Sequence, residues 1–400
     1  MKFIDYVLLL LAIIIGIWLL NPVAGDAVTF SITVATWVLL CTIKKPQYII
    51  TYLKSNLPSL LFVFVLFMYS ILGHVRLPIS LFFFLLSFSI GLYYIQENNH
   101  FANKIIILSI LVYILSICIN SLVAYEVVPG LSRMLSTGDS DEIMKTRGAD
   151  YITPFIATYG IIYICPVLII LFYSITKNSN NTLTKVVLYL LVMLFAWWVF
   201  KAEFTIALLL SIAFLGYLLF YNFQSKNGNL HIKVFFCLLI LLISFFGSDL
   251  FSMLSEMVPS YNFSVRFKEI ADTLEGDVSA NTDIGARGSL YQVSINAFLS
   301  NPIFGAGDKN LYVDYGNHST ILDAFAKYGL LGGSLNLLYF YKPISCVKLH
   351  LSETSKSIYN ICLLYVLVIA LINIADTKPM YCILFILGPL LLSELIDKNR

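Results

Sequence analysis

The sequence predicts an all-α integral membrane protein of about twelve transmembrane helices, and three observations carry that expectation. Of 400 residues, 59% are hydrophobic and only 12% are charged, where a soluble chain of this length carries roughly a quarter charged residues. The mean hydropathy is +0.86, so burying the apolar surface requires lipid as solvent. Apolar runs long enough to cross about 30 Å of hydrocarbon recur along the whole chain, which reads as one polytopic membrane domain over 1–400.

The expected spans are 3–20, 26–43, 57–73, 77–95, 104–123, 154–175, 185–201, 203–221, 234–250, 320–341, 358–375 and 379–396. No small-residue cleavage site follows the first run, and Asn21-Pro22 leads into a second; it reads as a retained helix and not a signal peptide. The pair around Lys201 has almost no connecting loop. Seven cysteines lie in or beside apolar spans at no metal-like spacing and read as small core-filling residues. The net charge of +2 argues neither for nor against nucleic acid.

Basic residues flanking the spans set the expected orientation. With the N-terminus inside, the cytoplasmic loops receive Lys44, Lys45, Lys54, Lys104, Lys177, Lys185, Lys226, Lys233, Lys342, Lys348 and Lys356, and Lys398 and Arg400 follow the last span on that side. Both termini are then cytoplasmic. Two long segments fall outside: a first loop at 124–153 and a larger one at 250–319. Loops of that length in a compact protein are functional or disordered. The second holds two expected amphipathic helices, around Val265–Leu274 and from Gly285 to Ser300, the latter stopping at Asn301-Pro302. Of six arginines, five (Arg76, Arg133, Arg147, Arg266, Arg287) lie outside, against the positive-inside bias. Arginine is preferred where a planar fork grips carboxylate or phosphate oxygens, so an anionic ligand outside is one reading. Pairing with outer acids such as Asp139, Asp141, Glu142, Glu269 and Asp272 is the other.

Two histidines face outward. His74 sits in a four-residue turn and reads as interfacial filler. His318 stands at the start of a helix, where the dipole and unpaired amides favour a neutral imidazole able to accept a proton, and favour a bound phosphate. Gly329 and Gly333, four apart, suit close packing against a neighbouring helix.

The order His318-Ser319, nine residues, then Gly329-Leu330-Leu331-Gly332 resembles the signature of the O-antigen polymerase and O-antigen ligase superfamily. Arg287 followed four residues later by Tyr291 resembles the family's arginine–aromatic pair, and Pro302-Ile303-Phe304-Gly305-Ala306-Gly307 its Pro-x-x-Gly-x-Gly turn. These motifs cover 287–332, and the layout of many helices with a large outer loop extends the likeness over the chain. The resemblance implies a C-type glycosyltransferase-like fold in the bacterial inner membrane, with a periplasmic active site in the 250–319 loop. It implies inverting, metal-independent glycosyl transfer from an undecaprenyl-pyrophosphate-linked oligosaccharide, with no cofactor. The implied partners are that lipid-linked substrate, membrane lipid and a chain-length regulator, and no nucleic acid.

On that reading His318 accepts the proton of the attacking hydroxyl, and Arg287 grips the pyrophosphate in place of a metal. Lys201 is the second candidate for the anion, matching the place where the family carries a basic residue entering a helix; ligases have arginine there, which tilts the reading towards a polymerase. Snorkelling, or pairing with Glu203, explains Lys201 equally. Arg266 either recruits substrate or is a solvated helix charge. Asp323 and Lys327, four apart, are expected to pair, with Asp323 as the fallback base. The cluster Asp139-Ser140-Asp141-Glu142 reads as a solvated loop and not as a metal site. Outer residues such as Tyr261, Asn262, Tyr291, Asn310, Tyr312, Tyr315 and Asn317 suit sugars or an interfacial aromatic belt. The ligase, with lipid A–core as acceptor, is the close alternative. A flippase for lipid-linked sugar is the third reading, and it predicts mid-membrane charge that the spans lack.

Overall fold

The computed structural model describes residues 3–20, 27–46, 48, 52, 57–72, 80–128, 131–132, 156–220, 228–258, 260–277, 282–307 and 315–397. Among them every regular element is helical. In chain order they are α1 (Phe3–Leu20), α2 (Ala27–Lys44), α3 (Leu57–Ile71), α4 (Ser80–Glu97) and α5 (His100–Val127). There follow α6 (Tyr159–Asn178), α7 (Thr182–Lys201), α8 (Thr205–Phe220), α9 (Gly228–Met257), α10 (Tyr261–Glu275) and α11 (Asp283–Ser300). The chain ends with α12 (Thr320–Leu349), α13 (Glu353–Ile372) and α14 (Lys378–Leu395).

Among the described residues each apolar stretch expected to span is helical over most of its length, but the helices differ in reach. Six are long and apolar enough to cross a bilayer: α1, α5, α6, α7, α13 and α14. The bent pair Cys237–Ile243 and Phe245–Met257 within α9, inclined at 66°, makes a seventh if it counts as one span. Where the sequence expects about twelve spans, the described residues thus show six to seven. At 1.5 Å per residue, the apolar helices Val28–Lys44, Leu57–Ile71, Phe82–Glu97 and Thr205–Leu219 fall short of about 30 Å, and α12 is broken inside its apolar run.

Side-chain burial fits a bundle in lipid. Inner faces contribute Ile15, Phe62, Phe84, Ile110, Phe172, Trp198 and Tyr365, all buried. Outer faces leave Leu10, Phe64, Leu108, Ile119, Leu190 and Phe245 exposed, an arrangement that is stable only where the solvent is itself apolar. The molecule is a helical membrane protein.

Polar contacts gather at two opposite ends. At one, the Lys44 ammonium lies 2.8 Å from Asp5 and 3.4 Å from Glu97, His100 lies 3.2 Å from Glu394, and Asp397 accepts from Ser352 and Ser355. The stretches near both termini therefore share an end with the lysine-bearing turns. At the other end Lys201 meets Glu126 at 2.9 Å, Ser260 and Asn262 donate to Glu203, and the His318 loop meets the end of α13.

The segment at 250–319 is more ordered than a loop. α9 runs on to Met257, and α10 and α11 cover both expected amphipathic stretches. Phe263, Phe267 and Ala271 of α10 pack on Phe251 of α9 as a small separate core. α10 ends at Gly276 with φ 93°, an αL stop that suits glycine. Of the first outer loop at 124–153, α5 takes residues up to Val127. His74, Arg76, Arg133, Asp139, Asp141, Glu142, Arg147, Asn310 and Tyr312 lie outside the described residues. Of the cysteines, Cys41, Cys118, Cys165, Cys362 and Cys382 are buried and unbridged, as core-filling residues should be, whereas Cys237 is exposed.

Candidate functional site

The site is organised by a break in α12. Gly329 takes φ 66°, ψ −168°, which ends the helical ladder for one turn. In an unbroken helix the amides of Leu330 and Leu331 would bond the carbonyls of Ala326 and Lys327. Here those amides bond Pro302 O at 2.7 Å and Ile303 O at 3.2 Å, and the freed carbonyls receive Ala306 N at 2.8 Å and Gly307 N at 3.1 Å. The Pro302–Gly307 turn thus replaces these two ladder bonds group for group, as buried backbone groups require. The expected role of Gly329 is corrected accordingly: its close neighbour is this turn and not another helix, and the atoms facing Gly333 belong to Phe325 of its own helix. Two motifs that are separate in sequence become one structural unit.

That unit holds the His318 loop against α11. Gly316 N donates to the buried Ser294 Oγ at 2.8 Å, and Ser294 Oγ donates to Asp323 at 2.5 Å. The second Asp323 oxygen accepts from Ser319 N at 2.9 Å, while Ser319 Oγ caps α12 by accepting from Leu322 N at 3.1 Å. Asp323 is therefore a capping residue, and the Lys327 ammonium lies 5.5 Å from the ring centroids of Tyr315 and Tyr328. Thr320 N bonds Asn373 O at 3.2 Å. The helix end offered by the sequence to a phosphate is thus largely filled from within.

His318 precedes the cap and is partly exposed. Its Nδ1 lies 2.9 Å from Asn317 O. A carbonyl oxygen only accepts, so Nδ1 is the donor in this contact. Asn317 itself sits at φ 51°, a left-handed conformation that asparagine tolerates better than most residues.

Arg287 approaches the same region from α11. Arg287, Tyr291 and Ser294 are spaced four and three apart and so share one face. Tyr291 donates to Ile372 O at 2.5 Å, at the end of α13, the end to which Ser319 also donates, through Ala370 O at 3.2 Å. Arg287 Nη1 is buried with no hydrogen-bond partner among the described residues. A buried guanidinium nitrogen left unsatisfied is costly, and it is poised to donate to an anion. Its charge reaches Tyr159 of α6 and Tyr291; burial pushes the Tyr291 phenol up, and Arg287 pulls against that shift. Asn373 adds an amide, donating to Tyr163 Oη at 3.2 Å.

The structure thus ties Tyr291, one helical turn from Arg287, and Ser319, next to His318, to the same end of α13. Lys201 and Arg266 are held elsewhere by carboxylates. Lys201 pairs with Glu126 and not with Glu203, and lies 5.2 Å from the Trp197 ring centroid. Arg266 grips Glu269 at 2.9 and 2.7 Å. Among the described residues no three His, Cys, Asp or Glu side chains gather as they would around a metal ion.

Sequence reasoning missed Asp376, in the short link between α13 and α14. Burial pushes its carboxyl up to about 6, against a hydrogen bond from Thr320 and the nearby charge of Lys327. The available signal was a lone acid in a short polar stretch, Asn373–Lys378, between two apolar runs. Comparison of the sequence with protein-family models gives no match, and comparison with curated proteins gives none either.

Proposed function

We propose that this chain is a polysaccharide polymerase of the O-antigen or capsular type, working at the periplasmic face of the inner membrane with both termini in the cytoplasm. The observation that carries the reading is that the neighbours of Arg287 and His318, Tyr291 and Ser319, both bond the end of α13. Arg287 keeps an orphaned buried N–H, and His318 has its Nδ1 held by a carbonyl. Their separation in sequence, thirty-one positions, is bridged by the interlocked turn and broken helix.

In this reaction a hydroxyl of an incoming lipid-linked repeat unit attacks the anomeric carbon of the growing chain. His318 Nε2 takes the hydroxyl proton. The bond from the anomeric carbon to the undecaprenyl pyrophosphate oxygen breaks with inversion, and Arg287 stabilises the charge that develops on the departing diphosphate. Lys201 and Arg266, each already paired, serve in guiding the anionic lipid towards Arg287. A chain-length regulator and the surrounding lipid are the partners this role calls for.

The test is genetic and chemical together. Cells lacking the gene are complemented with the wild-type chain, Arg287→Ala or His318→Ala, and their lipopolysaccharide is resolved on a gel. The reading expects the wild type to restore a ladder and each variant to leave core bearing one repeat unit. Bare core with polymer stranded on its lipid carrier would mean a ligase instead, and loss of outward-facing lipid-linked units a flippase. Full-length glycan from the double variant would remove both residues from the chemistry.

A further inference from the structure

A cavity of about 150 Å³ lies beside the His318 loop, bounded by the two halves of α12, the 373–377 link and the start of α14. It is well below the roughly 300–1,000 Å³ of pockets that enclose drug-sized ligands, a size suited to one small ring. Its polar edge is formed by Asp376, Thr320, Asn336 and Asn317, and its walls by aromatic rings including Tyr328 and Tyr381. Asn336 is largely buried although it is an amide within α12. Asn317 belongs both to the lining and to the support of the imidazole, since its carbonyl accepts from His318 Nδ1.

The charges exclude one kind of occupant. Among the described residues the ionisable acids and bases of the lining are the carboxyls of Asp323 and Asp376 and the ammonium of Lys327. With both acids ionised, negative charge is in excess, so a phosphate is repelled here and is better received at Arg287. Acidic and amide groups at the rim with flat rings at the sides suit a molecule that carries hydroxyls on its edge and C–H bonds on its faces. A carboxylate accepts hydroxyl hydrogen bonds strongly, and an aromatic face, with its negative quadrupole, attracts the polarised C–H bonds of a sugar ring.

We propose that this cavity seats one neutral pyranose ring of the acceptor glycan, with Asp376 and Asn336 holding its hydroxyls and the aromatic walls covering its faces. This rests on the glycan-polymerase reading and deepens it: the donor diphosphate and the acceptor sugar occupy separate places, divided by charge, on either side of the His318 loop. Asp376 acts here as a binding residue, fixing which hydroxyl is presented to Nε2.

The test uses the full-length protein in a detergent without a sugar headgroup. Saturation-transfer NMR is run with methyl pyranosides of a hexose, a 6-deoxyhexose and an N-acetylhexosamine, and with inorganic pyrophosphate and a short alkyl alcohol as comparators. At least one glycoside is expected to bind, with affinity falling tenfold or more in Asp376→Leu and in Asn336→Leu and unchanged in Arg287→Ala. Pyrophosphate is expected to show the converse dependence, lost in Arg287→Ala alone. The inference is overturned if no glycoside binds, if both cavity variants bind as the wild type does, or if the alkyl alcohol binds in the sugar's place. Circular dichroism and thermal melts of the variants establish that they fold. If Arg287→Ala and His318→Ala still build polymer while glycosides bind as expected, the transfer mechanism fails and the sugar site stands. Polymer lost in those variants with no glycoside bound means that the sugar site fails and the transfer mechanism stands.

Discussion

Gly305 and Gly329 lie backbone against backbone: a methyl group on Gly305 would stand 2.4 Å from the Gly329 amide nitrogen, and one on Gly329 would stand 2.4 Å from the Gly305 nitrogen. Both have positive φ, 78° and 66°. Left-handed backbone costs an alanine about 1–2 kcal/mol, and here the clash is with main chain that cannot swing aside. Gly329→Ala and Gly305→Ala are each expected to destabilise the protein by about 3 kcal/mol or more, read as a lower melting temperature or loss of folded monomer in detergent. Gly288→Ala is the control. No described atom lies within 4 Å of its added methyl group, and an alanine in a helix interior gains about 0.5–1 kcal/mol over glycine.

Arg287→Ala is expected to leave the melting temperature unchanged or slightly raised, because an unsatisfied buried nitrogen is removed. Polymerisation of lipid-diphosphate-linked repeat units in vitro is expected to fall by about 100-fold to 1,000-fold, the scale of losing one transition-state donor. Lys201→Ala and Arg266→Ala, whose charges are already met by Glu126 and Glu269, are expected to cost less than about tenfold, an indirect effect smaller than the loss of such a donor.

Asp323 is expected to behave as a cap. Asp323→Ala strands the Ser294 hydroxyl and the Ser319 amide and should cost about 1–3 kcal/mol. Asp323→Asn keeps an acceptor oxygen and should restore much of the stability, and activity with it. Loss of activity in Asp323→Asn with an unchanged melting temperature would instead identify Asp323 as the base.

Asp376 gives the fold a pH dependence whose sign is fixed by its raised carboxyl. Between about 4, where a free aspartic acid ionises, and about 6, the folded protein keeps a proton that the unfolded chain has lost. Stability contributed at this position therefore falls as pH rises through that window. The groups acting on Asp376 are Asp323 and Lys327 of α12, with Tyr381 of α14 beside it. Asp376→Asn is expected to melt above the wild type at pH 8, by the equivalent of about 1–3 kcal/mol. The gap should close near pH 4, as thermal melts across pH will read.

Much of the fold was legible because lipid imposes simple rules. α1, α5 and α7 follow directly from apolar run length, and α10 and α11 from amphipathic periodicity, the latter ended by Asn301-Pro302. The break in α12 was hidden because the hydrophobic pattern runs through Gly329 without interruption, and only the docking of Pro302–Gly307 reveals it. Of the expected spans, six to seven are long and apolar enough among the described residues, while α3 and α8 are helical but short. At the site, Arg287 and His318 could be singled out by residue type. Their support could not, because Ser294, Tyr159, Asn373 and Asp376 come from separate stretches and acquire meaning only by proximity. Asp323 likewise takes a tertiary partner that local spacing does not show, the Ser294 hydroxyl.

The exchange of main-chain bonds at Gly329 has a consequence for biogenesis. Residues 302–307 precede α12 in the chain, so they leave the ribosome before the discontinuous helix is made. The amides of Leu330 and Leu331 and the carbonyls of Ala326 and Lys327 find their complements already synthesised, so these four peptide groups need not stand bare among acyl chains during insertion. The order of synthesis, N-terminal piece first, serves as a built-in chaperone for the least regular part of the bundle.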